Sequence, residues 1–333
     1  MCHIVRFTFL LTVLLCSSFS FAFVFQRRDV PFSQGESVSN GRRNARMVPC
    51  CCARVLASHA FFKGEMYPLA KLGESVSNER RNARMIGADE ATRNQYPFMV
   101  ALMKRSDALT DEYSLYCGAS LISSTQILTA AHCVNDVETN RVLGPERFIV
   151  LLGMHFMNES MNDAQVTKRV IGVMVHEEFD SISHFNDIAI LTMETPVVFT
   201  STISPVCMPP IGSTDQYLNR IAIAQGWGRT QEKGKNSDFL RHVGIRIISN
   251  SLCRKSYMEK GKISDHMLCT WLSGKDACQN DSGGPLVIEA EHLECSWVQV
   301  GIVSFGRGCA RRFPGVYTRL TSFLPWLKKH LKS

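Results

Sequence analysis

From Met85 onward the chain is a succession of short β-branched and aromatic runs cut by Gly, Pro, Asn and Asp. Phe148–Leu152, Ile188–Met193, Arg220–Ala224, Val243–Ile248 and Val298–Val303 are examples. Runs this short cannot support helices of ordinary length, and β-branched side chains suit a pleated, half-buried surface. The spacing therefore predicts an all-β fold, a sandwich or a barrel. One helix is expected, over Thr321–Lys332, with Leu324, Leu327 and Leu331 on one face. Lys328, Lys329 and Lys332 lie where cations favour the helix dipole.

The first 84 residues differ in kind. Residues 1–22 read as a secretory signal: Arg6 ends a positive n-region, Phe7–Leu15 is apolar apart from Thr, and Ser20-Phe21-Ala22 offers small residues for cleavage. The apolar run is shorter than the ~20 residues that span a bilayer, so no membrane anchor is expected. Residues 23–84 read as a prosegment with an internal repeat. Gly35–Met47 recurs as Gly73–Met85 with a single difference, Gly41 against Glu79. Both copies are polar and lack apolar periodicity, and two copies are too few for a solenoid.

Charge follows the same division. The whole chain carries a formal +7, but Met1–Arg84 holds 12 basic and 5 acidic residues, leaving 25 of each sign from Met85. A nucleic-acid partner suggested by the net charge is thereby excluded from the expectations. Secretion also places the cysteines in an oxidising compartment, and 11 of the 13 remain once Cys2 and Cys16 leave with the signal.

Three segments carry residues for nucleophilic acyl transfer. Thr129-Ala-Ala-His132-Cys133 supplies a histidine, Asn186-Asp187-Ile188 a carboxylate at the head of a strand, and Asp281-Ser282-Gly283-Gly284-Pro285 a serine in a tight turn. A serine hydroxyl needs a base within hydrogen-bond reach, and that imidazole needs a carboxylate to orient it and stabilise its charged form. His184, three residues before Asp187, lacks such a context and reads as structural or exposed.

On these motifs, and on their order His, Asp, Ser, the segment 85–333 resembles a trypsin-like serine endopeptidase of the chymotrypsin family. The resemblance implies two antiparallel six-stranded Greek-key β-barrels with a C-terminal helix. It implies His132 as base then acid, Asp187 orienting it, Ser282 as nucleophile, and the amides of Asn280 and Ser282 as the oxyanion hole. Disulfides Cys117–Cys133, Cys253–Cys269 and Cys278–Cys309 follow from the same resemblance. Cys207 matches a cysteine that tethers the prosegment in some relatives, with Cys50, Cys51 or Cys52 as its expected partner. Cys295 has no family partner.

Asp276 aligns with the carboxylate at the base of the substrate pocket, where it would pair with an incoming Arg or Lys. Gly306 and Gly315 would leave room for that side chain, and Ser304 would begin the strand that pairs with substrate backbone. Arg84-Met85-Ile86-Gly87 resembles the activation site. Cleavage after Arg84 would free the Met85 amine to pair with Asp281.

Asn280 departs from the family's Gly. Its side chain raises an alternative to the enzyme, a weakened protease homologue acting as a binding decoy or cofactor. Asn158-Glu159-Ser160 is a credible glycosylation sequon in a polar loop. Met154 stands in that loop where a calcium ligand would be expected, so no metal and no cofactor are expected. The expected protein is a secreted zymogen. Its expected partners are peptide or protein substrates, an activating protease and protein protease inhibitors.

Overall fold

The computed structural model describes residues 88–106, 112–136, 138–158, 160–229, 234–257, 262–271, 281–290, 295–306 and 313–331. The strands among them are β1 (Asp89–Glu90), β2 (Met99–Arg105), β3 (Tyr113–Leu121), β4 (Gln126–Thr129), β5 (Phe148–Leu152), β6 (Val166–Val175) and β7 (Ala189–Met193). They continue with β8 (Ile221–Gly226), β9 (Arg241–Ile248), β10 (Met267–Trp271), β11 (Pro285–Glu289), β12 (Trp297–Phe305) and β13 (Gly315–Arg319). The runs named from sequence fall on β5, β7, β8, β9 and β12, with ends shifted by no more than a few residues.

Two closed antiparallel barrels result. The first runs β2-β3-β4-β7-β6-β5 and closes where β5 returns to β2. The second runs β8-β9-β10-β13-β12-β11 and closes through β11 on β8, with β1 added at β9. Among the described residues closure pairs every barrel strand on both sides, so that only the two-residue β1 keeps a free edge of the kind that could pair with another chain. The all-β, two-barrel expectation is the fold observed.

Burial explains why some runs alternate and others do not. β6 keeps an outward face and alternates, exposing Ile171, whereas Met99–Met103 of β2 are buried in succession. An unbroken apolar run marks a strand covered on both faces. β2 faces its own barrel core through Val100 and Leu102. Its other side, through Met99, Ala101 and Met103, joins Trp227, Leu240 and Val287 of the second barrel in a shared apolar layer. Within the same interface Ser120 Oγ on β3 donates to Gln299 Oε1 on β12 at 2.7 Å, both residues fully buried.

The C-terminal helix is shorter than expected. Leu320–Ser322 form a 3-10 turn and the helix covers Leu324–His330, with Leu331 at its end and Lys332 outside the described residues. Pro325 fixes the first turn, where its missing N–H is harmless, so the helix starts afresh after Phe323. Leu324 and Leu327 are buried as the pattern required, and they pack into the first barrel although the helix follows the second. Each such leucine contributes roughly 1.5–3 kcal/mol on burial. A further tie across the chain is the bond from Gln126 Nε2 to the His330 carbonyl at 3.0 Å.

Candidate active site

Asp187 is delivered by a strained turn. His184 and Asn186 adopt positive φ values of 58° and 56°, a region uncommon for residues with a side chain. The Ile188 N–H bonds back to the Asn186 carbonyl at 2.8 Å, and Thr318 Oγ1 donates to the Asp187 carbonyl at 2.7 Å. The chain thus turns sharply into β7 with the carboxylate fully buried.

Donors surround that carboxylate. Oδ1 accepts the His132 backbone N–H at 2.9 Å, while Oδ2 lies 2.8 Å from His132 Nδ1 and accepts from Ser304 Oγ at 2.5 Å. Burial alone would push the Asp187 carboxyl up. The charge and hydrogen bond of His132, aided by His184 and Ser304, outweigh it and hold the group far below the ordinary carboxylate range. His132 shows the converse: burial would lower its pKa, but the Asp187 charge and hydrogen bond raise it above the usual imidazole value.

His132 sits in a 3-10 turn, Ala131–Cys133, directly after β4. Cys133 is bonded to Cys117 on β3, which ties this turn to the barrel wall. The ring's second nitrogen, Nε2, lies 3.7 Å from Cys133 Sγ.

The Ser282 turn is seated on the same wall. Gly118 N–H donates to the Ser282 carbonyl at 2.8 Å, Gly284 N–H to the Asp281 carbonyl at 3.0 Å, and Gly283 N–H to Val303 at 2.8 Å. Gly283 has φ +77°, and a Cβ there would stand 2.2 Å from Thr129 Oγ1 and 3.1 Å from Cys133 Sγ. Only glycine permits so close an approach. Ser282 is therefore held beside the segment that carries His132. Among the described residues no hydrogen bond joins Ser282 to His132.

Asp281 is buried beside two glycines that sequence reasoning missed. Its Oδ1 accepts the Gly228 N–H at 2.8 Å, and a Cβ at Gly226 or Gly228 would come within 2.1 or 2.4 Å of that oxygen. A Gly-Trp-Gly run, Gly226–Gly228, at the end of β8 was the available signal.

Ser304 does not begin a strand, as expected from sequence; it is the penultimate residue of β12. Val303 pairs with Tyr317 and Phe305 with Val316, so Ser304 is the extra residue of a bulge. A bulge re-aims one side chain out of the regular alternation, here onto Asp187. Gly306 follows β12 and is exposed, and Gly315 opens β13 opposite Thr270. Asn158 is exposed, its Oδ1 accepting the N–H groups of Ser160 and Met161. Met154 is buried in the apolar layer between the barrels. Arg84, Met85, Asp276, Asn280, Cys278 and Cys309 lie outside the described residues.

The cysteines require a correction. Cys253 is bonded to Cys269, but Cys207, expected to tether the prosegment through Cys50, Cys51 or Cys52, is bonded to Cys295. The cause is local: the Cys207 segment runs alongside β12 as a parallel bridge to Val298, with hydrogen bonds from Cys207 N–H to Trp297 and from Gln299 N–H to Cys207. That places it beside Cys295 just before the strand.

His184 is neither remote nor isolated. Its ring packs edge-on against His132, with centroids 5.5 Å apart, and lies 5.3 Å from the ring of Phe305. Its Nδ1 is 3.7 Å from Asp187 Oδ2. The only sequence signal was its position three residues before Asp187.

These features define a two-barrel β protein in which a buried carboxylate joins a histidine of one barrel to a serine hydroxyl of the other. The chain belongs to the trypsin family, whose description matches residues 85–327. It is 36% identical over 251 residues to the proclotting enzyme of Tachypleus tridentatus, covering 74% of this chain and 66% of that protein. It is 35% identical over 255 residues to the clotting factor G beta subunit of the same organism, covering 73% and 78% respectively. A third relative, transmembrane protease serine 7 of Mus musculus, is 36% identical over 254 residues, covering 74% of this chain but only 28% of the relative. Among the described residues no helix is long and apolar enough to cross a membrane.

Proposed function

We propose that this chain is a secreted serine endopeptidase, made as a zymogen and cleaving peptide bonds after Arg or Lys through an acyl-enzyme. The observation that carries the reading is the Asp187 carboxylate held by His132 and Ser304, with the Ser282 turn seated on the His132 wall. In this reading Asp187 fixes the tautomer with the proton on His132 Nδ1 and stabilises the imidazolium. Nε2 takes the Ser282 proton as Oγ attacks the substrate carbonyl, then returns it to the leaving amine. Catalytic hydrogen bonds often close only when substrate binds, so the approach of Nε2 to Ser282 belongs to the substrate complex.

The amides of Asn280 and Ser282 would hold the oxyanion, and Asp276 would pair with the substrate's basic side chain. Gly306 and Gly315 would leave that side chain room. Cleavage after Arg84 would release the Met85 amine toward Asp281, whose carboxylate is already buried against Gly228. Residues 1–22 would direct export, and Asn158, exposed, would carry glycan. An activating protease and protein inhibitors would regulate it, and relatives named as a proclotting enzyme and a clotting factor subunit support the enzyme reading.

The test is to cleave the chain after Arg84 and titrate it with a serine-directed covalent inhibitor, alongside Arg and Phe ester substrates. Labelling of Ser282 with turnover of the Arg ester is expected. Turnover of the Phe ester alone would reject Asp276 as the pocket acid. The second reading, a protease homologue acting as a binding decoy or cofactor, draws on Asn280, whose side chain would perturb the oxyanion hole. It predicts an unlabelled Ser282.

A further inference from the structure

The Nδ1 of His184 is buried from solvent and faces Asp187 Oδ2 at 3.7 Å, longer than a regular hydrogen bond. The same oxygen stands 2.8 Å from His132 Nδ1. One ligand atom from each of the three residues lies within 4.8 Å of the other two. Zinc bound tetrahedrally at about 2.0–2.1 Å sets its ligands roughly 3.3 Å apart. The two measured separations bracket that spacing.

We propose that His132, His184 and Asp187 form an inhibitory site for a zinc-like divalent cation. Two imidazoles and one carboxylate are a donor set for zinc, whereas calcium and magnesium require mostly oxygen ligands. Access is open along the imidazole edges, whose side chains are 21% and 27% exposed at His132 and His184, while Asp187 is fully buried behind them. The fourth position is left for water. The His184 ring already packs edge-on against that of His132, with centroids 5.5 Å apart.

The chemistry of inhibition is a substitution. The ion takes the Nδ1 lone pair of neutral His132, and the proton that Nδ1 shared with Asp187 passes through solvent to Nε2 as the metal–nitrogen bond forms. With Nδ1 bound to the metal and Nε2 protonated, the neutral imidazole has no free lone pair left to accept the Ser282 proton. Removal of the ion by a chelator reverses the step. Sequence gave no metal motif because the ligands come from two turns 55 residues apart, and only the fold brings His184 to His132.

The inhibitory role rests on the protease reading, whereas binding does not, so two measurements are made. Full-length Ser282→Ala protein is titrated with zinc chloride by calorimetry, with and without His184→Asn. Asn is chosen because it tolerates left-handed backbone, and His184→Gly serves if that variant does not fold. Each substitution should weaken zinc binding at least about tenfold, the low end for loss of groups that support a metal. Protein cleaved after Arg84 is then assayed on an Arg ester with zinc, each variant being compared with its own metal-free rate. Zinc should suppress hydrolysis reversibly with EDTA, and His184→Asn should need at least about tenfold more. Equal zinc affinity with and without His184 would overturn the site. Zinc affinity that depends on His184 in a protein with no metal-free hydrolysis would uphold the site and overturn the protease reading.

Discussion

Ser304 Oγ donates to Asp187 Oδ2 at 2.5 Å across 117 residues of sequence, from a bulge in the second barrel to a buried carboxylate beside the first. Ser304→Ala removes one of the donors that keep this carboxylate ionised away from water. A buried acceptor left short of a partner costs about 1–3 kcal/mol. Chemical denaturation should show a loss of that size, and turnover of an Arg ester should fall because His132 loses part of its orientation. An unchanged denaturation midpoint would place the donor outside the energetics of the site.

The raised pKa of His132 fixes the pH dependence. In the proposed role as base His132 acts only when neutral, so activity should be lost as pH falls through its folded-state pKa, above the ordinary imidazole value of about 6.5. Asp187→Asn removes the charge that raises it. The acid limb of kcat/KM should then move to lower pH while the plateau falls, as a neutral amide neither holds the tautomer nor stabilises imidazolium. A limb that stays in place would show that Asp187 does not set the titration of His132.

Gly226 and Gly228 surround Asp281, and an added methyl at either position meets its carboxylate oxygen at 2.1 or 2.4 Å. Overpacking a tight site costs typically about 1–3 kcal/mol. Gly226→Ala should therefore destabilise the protein by that amount and, because Asp281 adjoins Ser282, reduce ester hydrolysis beyond what the fraction unfolded explains. Activity that simply tracks the folded fraction would separate Asp281 placement from catalysis.

What could be read from the sequence was local. The strand runs were legible because alternation and β-branching act within a few residues, and His132, Asp187 and Ser282 because each sits in a motif of its own. Ser304 was visible as a residue but not in its contact, since a bulge in the pairing of β12 with β13 decides where its hydroxyl points. His184 and Phe305 meet only through the turn before β7 and the end of β12. The C-terminal helix starts at Leu324 and not at Thr321 because Pro325 has no N–H to bond the Thr321 carbonyl, which outweighed the apolar spacing.

Cys295 failed for the same reason and yields the last prediction. Its partner Cys207 is 88 residues away in sequence and is brought near by a parallel bridge that no spacing rule reports. Non-reducing digestion and mass spectrometry should recover a peptide joining Cys207 to Cys295, and none joining Cys207 to Cys50, Cys51 or Cys52. Removing the bridge with the double substitution Cys207→Ser and Cys295→Ser should lower stability by about 2–4 kcal/mol, as expected for a long closed loop. Cys295→Ser alone leaves Cys207 as a free thiol, and only then should a link from Cys207 to the cysteines of residues 23–84 become detectable. Recovery of that link in the unsubstituted protein would overturn the pairing and restore the prosegment tether.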